Sequence, residues 1–280
     1  MKKLTFAILC FTLFTFCSSS DEPKLNNSQS QDSSSFSSSI AAAKAEETDT
    51  SQYFPVEHPD TISWNEFNII IHEPKMPYRL QCNDIREKRD SLKILFDADK
   101  VSIDTVKMLF TEYLLNKVIP YWYGTKWDFE GHSATPQNGT IACGYFVSTT
   151  LRDMGLNLNR YKLAQQYSGD EAKTINLNES VLTFFNYSSG KLIDKVKEKF
   201  ENGIYLTGLD NHVGFLLKRK GEIFFIHSNY IEPAKVVIER ASDSEAFGYS
   251  TTFYIGNITN NEKLMKKWLR NDEKKVISGS

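Results

Sequence analysis

The sequence is poor in the features that mark nucleic-acid binders, disulfide scaffolds and membrane-spanning proteins. Lys and Arg number 33 against 35 Asp and Glu, for a formal net charge of −2. No basic cluster occurs, which argues against nucleic acid as a partner. There are four cysteines, too few for a disulfide framework. The apolar run Leu4 to Phe16 is too short to cross a bilayer permanently. No internal repeat is visible. Cys143, His212 and His227 are suitable zinc ligand types, but no close ligand pair anchors a site, so neither metal nor other cofactor is expected.

The amino terminus carries Met1-Lys2-Lys3, then that short apolar run, then Cys17-Ser18-Ser19-Ser20-Asp21-Glu22. Two basic residues before a brief hydrophobic core read as an export signal over residues 1–16. A cysteine at its end resembles the signal of a bacterial lipoprotein, in which lipid is attached to the new first residue, here Cys17. Phe16 departs from the small residue such signals prefer. This implies a lipid-anchored protein of the cell envelope, with the outer membrane favoured, facing periplasm or surface. Asp21-Glu22 resembles tags that carry lipoproteins to the surface. Loss of Lys2 and Lys3 makes the remainder more acidic.

Residues 17–58 are rich in Ser, Gln, Asp and Glu and almost devoid of large apolar groups. They are expected to be a disordered tether, with one or two helical turns at Ala41 to Glu47. Residues 59–280 are long enough for one domain. It divides into a helical part (59–119), a core (120–256) and a terminal helical part (257–280).

Within that domain, Ile69 to Ile71 reads as a short strand or buried turn, and Asp84 to Leu95 as a surface helix. Ser102 or Asp104 is placed to cap a helix whose apolar face is Val106, Leu109, Phe110, Tyr113, Leu114 and Val118, ended by Pro120. A small polar loop from Thr135 to Thr140 leads into Cys143, and a helix-compatible run follows to Gly155. Strands are expected over Gly203 to Leu209, Ala234 to Glu239 and Thr251 to Ile255. His212 to Lys218 and Glu222 to His227 form a hairpin across Arg219-Lys220-Gly221. Ser242 to Glu245 suggests a short capped helix. Asn260 to Arg270 is a terminal helix docked by Leu264, Met265, Trp268 and Leu269, with a basic end at Lys274 and Lys275.

Cys143 would thus sit at a helix N-terminus, where free N–H groups and the helix dipole favour a thiolate and lower its pKa. His212 and His227 share the open end of one hairpin, so one imidazole can serve the sulfur while the other orients it. That is nucleophile, base and orienter. Asn229 or Asp210 is an alternative orienter, a Cys82–Cys143 disulfide is the inert alternative for Cys143, and the Cys143 N–H is the natural oxyanion donor. His132 reads as a rim residue, and His58 and His72 receive no role. Lys126, Arg152 and Arg160 are the nearest cations for a substrate carboxylate.

Four segments carry a resemblance: Pro120-Tyr121-Trp122-Tyr123-Gly124, Ala142-Cys143-Gly144-Tyr145-Phe146-Val147, His212-Val213-Gly214 and Phe225-Ile226-His227. In this order they resemble the NlpC/P60 family of cell-wall cysteine peptidases, over roughly residues 118–256. The resemblance implies a papain-like α+β fold with helices packed on one face of an antiparallel sheet and the catalytic helix at its centre. It implies hydrolysis of an amide bond in peptidoglycan stem peptides, with Tyr123 assisting at the oxyanion. Three departures stand out. Ala142 replaces the family's Asp, credited there with holding a substrate amine. The loop from Tyr123 to Cys143 is longer, and a separate segment, Gln165 to Gly203, precedes the first histidine strand. Acyl transfer or thioester cleavage on lipid or protein, or a retired binding cleft, are the competing functions.

Overall fold

Helix starts and stops follow their local chemistry. Pro77 precedes α1 (Tyr78–Asp97), longer at both ends than the pattern predicts. Ser102 caps α2 (Ile103–Tyr113), its hydroxyl accepting from Thr105 N–H at 3.2 Å. The chain then continues as a π turn over Leu114–Val118 and a 3-10 turn over Ile119–Tyr121 that contains Pro120. The computed structural model describes residues 63–177 and 179–271. The leader, Cys17, the tether, the turn at Ala41 to Glu47, His58 and the basic end at Lys274 and Lys275 lie outside the described residues.

Next come α3 (Cys143–Asp153), α4 (Arg160–Ala164), α5 (Ser168–Ile175), β1 (Leu182–Phe184) and α6 (Ser189–Lys199). The rest of the sheet follows: β2 (Gly203–Gly208), β3 (Val213–Arg219), β4 (Glu222–Ser228), β5 (Val236–Arg240) and β6 (Phe253–Asn257). The short α7 (Glu245–Gly248) precedes β6, and α8 (Glu262–Arg270) closes the described chain. The protein is α+β, as predicted. Ile69 to Ile71 forms no strand; it follows a 3-10 turn at Trp64–Phe67, with Ile69 buried.

The sheet has the order β1-β6-β2-β3-β4-β5, with every neighbouring pair antiparallel. Lys220 (φ 51°) and Gly221 (φ 82°) form the two-residue turn of the β3–β4 hairpin. Positive φ at both positions matches the strand twist, and glycine supplies one at no steric cost. Arg219 therefore pairs with Glu222, and the register runs on through Phe215 and Ile226.

The expectation of helices on one face only is corrected. On one face Leu206, Val213, Phe215, Leu217 and Ile226 share a core with α2, α3, α5 and α8. On the other, Leu192, Ile193 and Val196 of α6 and Phe247 of α7 pack on Tyr205, Leu216, Ile223 and Phe225. Strands apolar on both sides must be covered on both sides. The terminal helix docks by Leu264, Met265, Trp268 and Leu269, all buried. Its Trp268 indole N–H donates to the Met154 carbonyl at 2.7 Å. Among the described residues no helix is long and apolar enough to cross a membrane.

Candidate active site

α3 lies against the middle of the sheet, Phe146 edge-on to Phe215 of β3 at 5.9 Å. Cys143 is its first residue, partly exposed, and Ala142 before it offers no side-chain cap. The first N–H groups are therefore left for other acceptors, and those of Cys143 and Gly144 turn toward the sulfur. Gly144 is required by close approach: a Cβ there would stand 2.7 Å from the Ala164 carbonyl of α4.

The loop before Cys143 is tied down along its length. Trp127 N–H donates to Ala234 O at 2.8 Å, Ile141 N–H to Lys126 O at 2.9 Å, and Ala142 N–H to Gly131 O at 2.8 Å. Arg160 is no surface cation. It is buried and clamps the loop to α3, Nη1 donating to Ser133 O (3.0 Å) and Thr149 Oγ1 (2.8 Å) and Nη2 to His132 O. Arg152 pairs with Asp153, and Lys126 is exposed.

The two histidines meet. His227 lies on β4 and His212 immediately precedes β3; both are buried, with His212 Nε2 2.8 Å from His227 Nδ1. The far nitrogen of His227, Nε2, is 3.0 Å from Glu239 Oε1. His227 pairs with Val237 across the β4–β5 ladder, which makes Glu239 its diagonal neighbour on the same side. Phe225 stacks on His227 at 4.3 Å. A Cβ on Gly214 would come within 2.9 Å of His227 Cβ, so the glycine after His212-Val213 makes room for the second histidine.

The histidines and Phe225 belong to the sheet side that α6 covers, whereas α3 covers the other. The link between the two sides lies at the end of the sheet, where β3 begins. Val213, the residue after His212, presents its backbone N–H to the Cys143 sulfur. Tyr230 marks the same spot. Its ring lies 5.1 Å from that of His212, and its phenol is raised by burial, then by the charge of Glu245, and least by a thiolate on Cys143.

The predicted low-pKa thiol is corrected. Burial pushes Cys143 up to about 11, helped by the charge of Glu171 and opposed by the N–H groups of Val213, Gly144 and Cys143. Helix-terminal stabilisation is present, but desolvation outweighs it. Burial, and then the neighbouring His227, holds His212 well below the usual imidazole range. His227 is lowered by burial, with the hydrogen bond and charge of Glu239 acting against it. The resting pair is therefore neutral thiol and neutral imidazole rather than a standing ion pair.

The remaining candidates have other places. Asp210 Oδ2 accepts from Thr251 N–H at 2.8 Å and from Thr252, and Asn229 Oδ1 accepts from Ile231 N–H at 3.0 Å. Tyr123 is buried in the larger core, and among the described residues its hydroxyl has no hydrogen-bond partner. His132 and His72 are exposed. Cys82 and Cys143 are both free thiols, so the disulfide does not form.

Sequence reasoning missed three residues: Glu239, Glu171 and Tyr230. Glu239 ends a predicted strand, and strand register is what turns it toward His227. Glu171 lies on α5, fully buried, with Oε1 unpartnered among the described residues and its pKa raised well above the usual range by burial. No motif points to it. No protein-family model, curated protein or solved structure matches the chain.

Proposed function

We propose that the chain is a papain-like cysteine hydrolase of the NlpC/P60 kind that cleaves an amide bond in peptidoglycan stem peptides. The observation that carries the reading is the 2.8 Å contact between His212 and His227, with Val213, the residue after His212, offering its N–H to the Cys143 sulfur. A buried imidazole pair at that place has the composition of base and orienter for a thiol nucleophile.

In this reading Cys143 gives its proton to His212 and attacks the amide carbonyl. The Cys143 N–H and the Tyr123 hydroxyl hold the oxyanion. His212 returns the proton to the leaving amine, and water hydrolyses the acyl-enzyme. The neutral resting pair suits an enzyme whose thiolate forms as substrate binds. The body is held to the bacterial outer membrane by lipid on Cys17, on the 17–58 tether, with peptidoglycan peptide as its partner and no cofactor. Purified protein should release soluble peptides from cell-wall sacculi, and Cys143→Ala should abolish this. Equal release by that variant would end the reading.

A second reading, acyl transfer or thioester cleavage on lipid or protein, is favoured by Ala142, which leaves no acid beside the nucleophile for a substrate amine. Accumulation of acyl-Cys143 from lipid esters, with none from cell-wall peptides, would select it.

A further inference from the structure

The hydrogen-bonded chain does not stop at the two histidines. A carboxylate oxygen only accepts, so the 3.0 Å contact to Glu239 Oε1 places a proton on His227 Nε2. A neutral imidazole carries one N–H, which leaves Nδ1 of His227 as a lone pair. The 2.8 Å contact from that lone pair then requires a proton on His212 Nε2. His212 Nδ1 is the nitrogen left unprotonated.

We propose that Glu239 is a positioning residue which, acting through His227, selects Nδ1 of His212 as the base for the Cys143 proton. In the transfer the S–H bond breaks, its electron pair stays on sulfur, and the proton bonds to Nδ1. The imidazolium so formed keeps its Nε2–H on His227, whose own N–H points at the carboxylate. No proton has to leave the relay. With the chain reversed, His212 Nδ1 would carry the hydrogen and could not accept a proton from the thiol.

The inference rests on the hydrolase reading for its substrate, but its test does not. Glu239 lies on the edge strand with its side chain 29% exposed, so it can be replaced without opening the core. Three full-chain variants separate the possibilities. In Glu239→Gln an amide oxygen can still accept, Glu239→Leu removes the acceptor, and Glu239→Lys puts a donor there. Alkylation by iodoacetamide, read across pH on the peptide containing Cys143, reports the base. Nitrogen-15 spectra of the histidine rings report the tautomer directly.

Wild type should show an unprotonated His212 Nδ1. Glu239→Gln should stay within about threefold of its alkylation rate, while Glu239→Leu should fall by about tenfold or more. Glu239→Lys should be slowest, with hydrogen on His212 Nδ1. A wild-type His212 protonated at Nδ1 overturns the proposal. So does a Glu239→Leu protein with wild-type tautomer and rate. If alkylation follows the expected order while wild type releases nothing from sacculi, the relay stands and the peptidoglycan reading fails.

Discussion

Ser228 Oγ donates to the Ile141 carbonyl at 2.7 Å, with both residues fully buried. Ser228 follows His227 and Ile141 lies two residues before Cys143. One hydrogen bond thus joins the end of the histidine strand to the entry of the cysteine helix. It links two sequence-distant segments that the proposed proton transfer requires to share one geometry.

Ser228→Ala should leave that carbonyl buried without its donor and cost about 1–3 kcal/mol of stability. Its larger effect should be on kcat, because a displacement of about 1 Å between nucleophile and base costs on the order of a hundredfold. A variant with reduced stability and unchanged kcat would show that the bond serves the fold alone.

Much of this was legible beforehand. The β3–β4 hairpin announces itself by two apolar runs around Lys220-Gly221, and α3 by a polar loop before Cys143 and a glycine after it. The start of α2 follows from Ser102 as its cap, and α8 from the spacing of Leu264, Met265, Trp268 and Leu269. What could not be read depends on distant packing. Strands apolar on both sides do not reveal that α6 covers the second face. Glu239 finds His227 only through the β4–β5 register, and Glu171 looks like a solvated helix charge until α5 packs on β2 and β6. A helix N-terminus is visible in sequence; the burial that outweighs it at Cys143 is not.

Glu171→Gln tests that last point. The carboxylate adds to the rise of the Cys143 thiol to about 11, so removing the charge it carries at alkaline pH should bring the alkylation midpoint down. The midpoint of Cys143 alkylation against pH measures this directly. No movement would mean that burial alone sets the thiol and that Glu171 does not act on the sulfur.

Stability should fall on mild acidification. His212 and His227 have folded pKa values below the ordinary imidazole value of about 6.5. The unfolded chain therefore binds protons first, and stability is lost as pH drops below about 6.5. Each histidine contributes a slope of up to about 1.4 kcal/mol per pH unit until its folded pKa is reached. Glu171, raised by burial, has the opposite sign: the folded chain holds its proton above the usual carboxyl value, so it favours folding as pH falls. Urea melts between pH 7.5 and 5 should thus show a net loss that His212→Gln flattens and Glu171→Gln steepens. Equal slopes in all three proteins would rule out the buried neutral histidines.

Tyr123→Phe separates a structural from a catalytic tyrosine. The Tyr123 hydroxyl is buried, has no hydrogen-bond partner among the described residues and is raised far above the usual phenol range by burial alone. An unpaired buried hydroxyl costs about 1–3 kcal/mol, and phenylalanine fills the same space without it. A purely structural role therefore predicts a variant as stable as wild type or more so, with activity unchanged. A hydroxyl that meets the oxyanion predicts the same gain in Tm together with a loss in kcat. Removing one oxyanion donor costs on the order of a hundredfold or more when the donor is well placed. Thermal melts and release from sacculi, measured on the same preparation, read both quantities. Higher Tm with kcat unaltered would take Tyr123 out of the mechanism and leave the Cys143 N–H as the oxyanion donor.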